Sequence, residues 1–145
     1  MMGQGRNALY LASQGWHVTG VDLSDVALAE ARAEAARRHL ALDAQQADIE
    51  QYDFGTAKWD LVTMIYAGDS LDRVKKLQAS LKPGGLFVLE YFAAGQGKGS
   101  GGIVPGSLRP LFAPGYDILR DEVVDDVPDW AQDRAKLVRF VARKR

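Results

Sequence analysis

The 145-residue sequence contains no cysteine. This absence excludes disulfide bonds, thiolate zinc sites and cysteine nucleophiles, and it fits the reducing cytoplasm, where we expect the protein to be. Long apolar runs are also missing, since no stretch approaches the ~18 residues of a membrane span. Neither charge sign dominates, because 18 basic and 19 acidic residues leave a formal net charge of −1. We therefore expect neither a membrane nor nucleic acid as a partner.

The composition is that of an ordinary folded protein. Hydrophobic residues make up 47% of the chain and charged residues 26%, which is close to the average for soluble proteins. The length is typical of one domain, so we interpret residues 1–145 as a single domain. The two histidines lie far apart in the sequence, so we predict no metal site.

Helical and strand patterns alternate along most of the chain. The predicted helices cover residues 6–14, 24–39, 70–81 and 105–112, and the predicted strands cover residues 16–22, 41–45, 59–66, 86–91, 118–124 and 137–143. The alternation predicts an α/β fold with a doubly wound, mostly parallel sheet, because parallel neighbours need crossover connections. We expect the last two strands to form an antiparallel pair, and the nearly continuous apolar strand at 59–66 to be covered on both faces. Pro83-Gly84-Gly85 predicts a turn, and six of the twelve residues 95–106 are glycine.

A glycine-rich turn opens the chain. Gly3-Gln4-Gly5-Arg6-Asn7-Ala8 leads into the first helix, and Asp22 ends the next predicted strand. Glycines allow close approach of a ligand, a helix N-terminus offers unpaired N–H groups, and an acid at this spacing can bind ribose hydroxyls. The G-x-G-x-x-A spelling also fits a dinucleotide, so these residues leave NAD and other adenosine ligands open. The alternative interpretation is a tight turn with a surface acid.

Further motifs follow in a fixed order. Asp48-Ile49 comes after the second predicted strand, Trp59-Asp60-Leu61-Val62 introduces the central strand, and Leu81-Lys82-Pro83-Gly84-Gly85 joins a helix to the next strand. In this order the chain resembles the class I S-adenosylmethionine (SAM)-dependent methyltransferases. The stretch from Gly5 to Ala12 is similar to their tellurite-resistance-type, small-molecule branch.

The resemblance implies a Rossmann-like fold, SAM as methyl donor, S-adenosylhomocysteine (SAH) as product and a small-molecule acceptor. It implies a glycine loop under the methionine part and sugar, an acid at the ribose, a second acid at the adenine and a strand end beside the methionine part. The implied cofactor-binding residues are Gly3, Gly5, Asp22, Leu23, Asp48, Ile49, Ile65 and Tyr66.

No catalytic residue is assigned, because in-line methyl transfer depends mainly on positioning, and it needs a general base only for a protonated acceptor. Tyr66, Asp69, Glu90 and Tyr91 are candidates for contact with the acceptor. The alternative is that both tyrosines cap the core and that Glu90 caps a helix or meets solvent.

The chain departs from the family pattern at its beginning. The family places a central strand, usually ending in an acid, before the glycine loop, and here two residues precede Gly3. We therefore interpret the chain as an N-terminally truncated methyltransferase-like domain without its first strand. A fragment, a sheet whose neighbouring strands close up, and a homodimer that repairs the sheet remain open. A catalytically impaired cofactor-binding or scaffold domain is the rival function, and an NAD-binding fold is a less favoured one.

Overall fold

The computed structural model of the protein describes residues 1–95, 101–128 and 131–145. It contains two compact units, Met1–Asp53 and Phe54–Arg145, which are described separately below. The interpretation as a single domain stays a prediction. Five residues of the glycine-rich segment and two residues before Ala131 lie outside the described residues.

The order of helices and strands agrees with the sequence prediction. The helices are α1 (Arg6–Ser13), α2 (Asp25–Arg37), α3 (Leu71–Ser80) and α4 (Arg109–Phe112), and the strands are β1 (Val18–Asp22), β2 (Leu42–Gln46), β3 (Trp59–Ile65), β4 (Leu81–Phe92), β5 (Tyr116–Asp126) and β6 (Ala135–Lys144). The largest difference at a helix is at α4, which begins at Arg109 and not at residue 105.

The first unit packs α1 and α2 with a two-stranded parallel sheet. Strand β1 pairs with β2 from Val18 opposite Leu42 onwards. The Ser24 hydroxyl accepts the Ala27 N–H at 3.2 Å and so caps α2, as Ser, Thr, Asp and Asn commonly do. The buried residues of α2 form an apolar stripe, and its members are Leu28, Ala31 and Ala35.

The second unit contains a mixed sheet in the order β3-β4-β6-β5. Strands β3 and β4 are parallel, whereas β6 runs antiparallel to both β4 and β5. The predicted α/β class and the antiparallel C-terminal pair are therefore confirmed. The core lies on one face of this sheet and includes Val62, Met64, Phe87, Leu89, Phe140, Val74, Leu77 and Phe112.

Strand β3 differs from the expectation of burial on both faces. Val62 and Met64 point to the core and are buried, but Thr63 on the opposite face is exposed, and Leu61 and Ile65 beside it are half-buried. A continuous apolar run predicts burial of both faces of a strand. It does not show that only one face of β3 packs against the core of this unit. The residues of this strand in the main core cluster are those on one face.

The predicted turn between α3 and β4 is part of the strand. Trp59 pairs with Leu81 and Leu61 pairs with Leu86, so the ladder continues on both sides of Pro83-Gly84-Gly85 with a shift of register. A Cβ at Gly85 would lie 2.9 Å from the Lys82 carbonyl oxygen, which requires glycine there. The motif therefore lies within β4, where four residues between the two paired positions stand opposite a single residue of β3.

Candidate functional site

Asp22 organises the glycine loop of the first unit. Its Oδ2 accepts the Gly3 N–H at 2.8 Å, and its Oδ1 accepts the Ser24 N–H at 3.0 Å. The Asp22 carbonyl also accepts the Ala47 N–H at 3.0 Å. The residue is only 8% exposed. The predicted acid and the predicted loop are thus in direct contact, and the acid holds the loop as well as closing β1.

Electrostatics keep the Asp22 carboxyl ionised. Burial raises the pKa of Asp22, but hydrogen bonds from the Ser24 and Gly3 N–H groups and the nearby amino terminus outweigh this effect. The net result is a pKa below the usual value of 3.8. The first unit therefore holds a fixed negative charge beside the N-terminus of α1.

The two glycines of the loop differ in their surroundings. Gly5 stands at the N-cap of α1 with φ of 85°, and a Cβ there would lie 3.1 Å from the Ala31 Cβ of α2. Gly3 has φ of 54°, and a Cβ there would meet no atom within 4 Å. Gly5 is thus required by packing as well as by its conformation, whereas the loop beside Gly3 borders open space that a ligand can approach.

The remaining predicted residues of the first unit follow the ends of β1 and β2. Because these strands are parallel, their carboxyl ends lie at one edge of the sheet. Leu23 is exposed, and its carbonyl accepts the Gln46 Nε2–H at 3.1 Å. Asp48 and Ile49 are half-buried, and Asp48 Oδ1 accepts the Glu50 N–H at 2.9 Å in a local turn. The contacts of Gly3 with Asp22 and of Asp22 with Ala47 join the loop to this edge.

In the second unit, Ile65 and Tyr66 lie at the carboxyl end of β3. Ile65 pairs with Glu90 of β4, and Tyr66 follows with φ of 50°, which is uncommon for an aromatic residue. The Tyr66 N–H donates to the Glu90 carbonyl at 2.9 Å, and its hydroxyl donates to Glu90 Oε1 at 2.8 Å. Tyr66 is therefore attached to Glu90 through both its backbone and its side chain.

Glu90 belongs to a charged network that the sequence did not predict. Arg139 lies opposite Glu90 across β4 and β6, and its Nε donates to Glu90 Oε2 at 2.5 Å. Arg139 Nη2 donates to Asp126 Oδ2 at 2.8 Å. Hydrogen bonds to Glu90 and then to Asp126 raise the pKa of Arg139. Glu90 does not cap a helix, because its side chain, which is 20% exposed, is paired with Arg139 across the sheet.

The other acceptor candidates have local partners. Asp69 Oδ2 accepts the Gly102 N–H at 2.7 Å. The Tyr91 ring lies 6.2 Å from the Tyr66 ring, so the two tyrosines form an aromatic pair. Within the part of the chain that the structure describes, no three His, Asp or Glu side chains gather as metal ligands would. None of the described helices combines the length and the apolar character needed to cross a membrane.

Comparison with known proteins identifies the family. The profile of a family described as "Methyltransferase domain" matches residues 1–85. A malonyl-[acyl-carrier protein] O-methyltransferase of Enterobacter lignolyticus is 40% identical over 96 residues, which are 63% of this chain and 37% of that protein. The chain thus spans little more than a third of that curated relative.

Solved structures agree in fold. A SAM-dependent methyltransferase from Methanosarcina mazei is similar with a TM-score of 0.81 and 18% identity, covering 99% of this chain and 89% of the other. TehB from Haemophilus influenzae is similar with a TM-score of 0.78 and 18% identity, covering 99% of this chain and 55% of TehB. At this identity the likeness shows the fold, and the profile match covers more than half of the chain. The chain belongs to the methyltransferase domain family and has the fold of SAM-dependent methyltransferases.

Proposed function

We propose that the protein transfers a methyl group from SAM to a small-molecule acceptor. The observation that carries this proposal is the contact between Gly3 and the buried carboxylate of Asp22, beside the N-terminus of α1. A glycine loop, a helix N-terminus and an acid at the end of the next strand form the set of groups that suits an adenosine ligand. Membership of the methyltransferase family selects SAM among such ligands.

The residues of the first unit fit this cofactor in their chemistry. Gly3 borders open space, so the backbone can approach a ligand without a clash. Carboxylate oxygens carry two lone pairs each, so Asp22 can accept a ribose hydroxyl beside the Gly3 and Ser24 N–H groups. Exposed Leu23 and half-buried Ile49 offer apolar surface for an adenine ring. We propose Gly3, Gly5, Asp22, Leu23, Asp48 and Ile49 for the adenosine part.

Ile65 and Tyr66 of the second unit are proposed for the methionine part. Bound SAM supplies an electrophilic methyl group on a sulfonium. The protein's contribution is orientation and exclusion of water, so that the acceptor lies in line with the departing sulfur. No residue is proposed as a general base.

The acceptor class is proposed from the curated relative. The Enterobacter protein is named for methylation of a malonyl group carried on an acyl carrier protein. It supports a small acceptor group for this chain without specifying which one. The rival function is a domain that binds the cofactor weakly or serves as a scaffold.

The test is calorimetric titration with SAH and, separately, with NAD. We expect micromolar binding of SAH, no binding of NAD, and loss of SAH binding in Asp22→Ala. Asp43→Asn is the matched control, because Asp43 is an exposed aspartate of β2 in the same unit. Asp22→Asn, checked by circular dichroism, separates loss of the carboxylate from loss of the fold. Heat from neither ligand would favour the scaffold function.

A further inference from the structure

Glu90 connects two elements at the carboxyl ends of parallel strands. It is a residue of β4, receives the Tyr66 hydroxyl from the end of β3, and lies opposite Arg139 of β6. Arg139 in turn contacts Asp126 of β5. Ligands of open α/β sheets bind outside the carboxyl ends of parallel strands, where Tyr66 lies. The network therefore extends from a ligand-facing edge across all four strands of the unit.

The chemistry of the network fixes the direction of the Tyr66 proton. An ionised carboxylate only accepts hydrogen bonds, so the hydroxyl proton points to Glu90 Oε1. Arg139 occupies Oε2, and Asp126 holds the guanidinium, so the carboxylate is restrained from turning away. While this bond is intact, Tyr66 can meet a ligand only with its oxygen as an acceptor.

The backbone restrains Tyr66 as well. Its φ of 50° is a conformation that costs free energy in a bulky residue and persists where the surroundings enforce it. The N–H donates to the Glu90 carbonyl, and the ring lies 5.4 Å from the Phe92 ring. Tyr66 thus combines a strained backbone with two hydrogen bonds to Glu90, and this combination indicates that its side chain is held in a functional orientation.

We propose that Glu90 is a positioning residue that presents the Tyr66 hydroxyl oxygen as a hydrogen-bond acceptor to an N–H or O–H group of the bound ligand. This inference rests on the proposed function. The donor has two possible sources, the α-ammonium of the cofactor or an amine or hydroxyl on the methyl acceptor. A carboxylate acceptor would bring no donor and would face the lone pairs of the hydroxyl oxygen.

Three variants test the inference. Tyr66→Phe removes the oxygen and keeps the ring. In Glu90→Gln the amide oxygen can still accept from Arg139, and the amide N–H can donate to the Tyr66 oxygen. The Tyr66 hydroxyl proton then turns towards the ligand. Asp60→Asn is the control, because Asp60 forms a comparable ion pair with Lys82 between β3 and β4 at 2.8 Å and is not a proposed site residue. Circular dichroism establishes that each variant is folded.

The first arm measures the binding of SAH and of its analogue without the α-amino group. If the cofactor supplies the donor, Tyr66→Phe and Glu90→Gln each lower the affinity for SAH by about 10-fold. The analogue then binds all four proteins equally. Weakening of SAH and the analogue alike would overturn this source, since it would indicate general damage.

The second arm uses the SAH complex and measures the binding of aniline, benzyl alcohol and benzoate by saturation-transfer NMR. If the acceptor supplies the donor, aniline and benzyl alcohol lose signal in Tyr66→Phe and Glu90→Gln. Benzoate gains signal in Glu90→Gln, because the reversed hydroxyl can now donate to it. A purely structural role of Glu90 would instead give benzoate no gain.

The results separate the inference from the function on which it rests. Wild-type protein that binds SAH, with both variants unchanged in both arms, overturns the inference alone. Wild-type protein that binds no SAH overturns the proposed function and the inference with it.

Discussion

Asp22 and Glu90 are two acidic residues that lie at strand ends and hold neighbouring segments in place. Asp22 accepts hydrogen bonds from the backbone N–H groups of Gly3 and Ser24. Glu90 accepts hydrogen bonds from the side chains of Tyr66 and Arg139. Both carboxylates are paired with groups of the protein itself. The charge of each therefore contributes to local structure before any ligand arrives.

The lowered pKa of Asp22 predicts an acid-dependent contribution to stability. Because the folded state binds this proton less readily than the unfolded state, the stabilisation is present above the usual pKa of 3.8 and is lost as pH falls through the folded value. We expect Asp22→Asn to be less stable than wild type at about pH 6, with the gap narrowing towards about pH 3. Urea unfolding across this range measures the gap. A gap that does not change with pH would contradict the prediction.

The sequence predicted Asp22 and the glycine loop because they belong to one short motif. Their partnership spans nineteen residues and a single helix. The pairing of Glu90 with Arg139 spans forty-nine residues and depends on the register of two antiparallel strands. Periodicity indicates that those strands exist but does not give their register, so Arg139 and Asp126 could not be predicted as members of the candidate site.

At the scale of elements, the end of α3 is held by two later strands. The helix passes directly into β4, with Leu81 in extended conformation at its C-cap. The Gln78 carbonyl accepts the Tyr116 hydroxyl at 2.9 Å and Lys144 Nζ at 3.1 Å. Lys144 Nζ also donates to the Leu81 carbonyl at 2.8 Å. The Gln78 carbonyl, which also accepts the Leu81 N–H, and the Leu81 carbonyl are thus bound by side chains of β5 and β6.

We expect Lys144→Met to lower the free energy of unfolding by about 1–2 kcal/mol, because two carbonyls lose a charged donor. Lys75→Met is the control, since Lys75 forms an exposed pair with Asp72 on the same helix. Its effect should stay within about 0.5 kcal/mol. Urea denaturation of the three proteins provides the measurement. Equal effects of the two substitutions would show that the Lys144 contacts do not stabilise α3.

The elements themselves were predicted from periodicity, and their ends were predicted less well. Apolar spacing gave α2 and α3 to within two residues at each end. The start of β4 was missed by five residues, because Pro83-Gly84-Gly85 is typical of a turn. Only the pairing of Leu81 with Trp59 places that motif within the strand.

At the scale of the molecule, the two units differ in how much structure supports each strand. The first unit has a two-stranded sheet of five-residue strands, and the second has four strands over a larger apolar core. Small sheets need packing against helices to be stable. We expect amides of β1 and β2 to exchange with solvent faster than those of β4 and β6, measured by hydrogen exchange with mass spectrometry. Addition of SAH should slow exchange in the first unit preferentially. Uniform exchange in both units would contradict this expectation.

The position of β6 between β4 and β5 has a consequence for synthesis of the chain. β5 leaves the ribosome before β6, yet its sheet partner is β6. Until that later strand emerges, β4 has one unpaired edge and β5 has no neighbour, and such edges can pair with other chains. The second unit is therefore completed by insertion of a late strand into its middle. An interruption of translation between β5 and β6 would leave a nascent chain prone to aggregation.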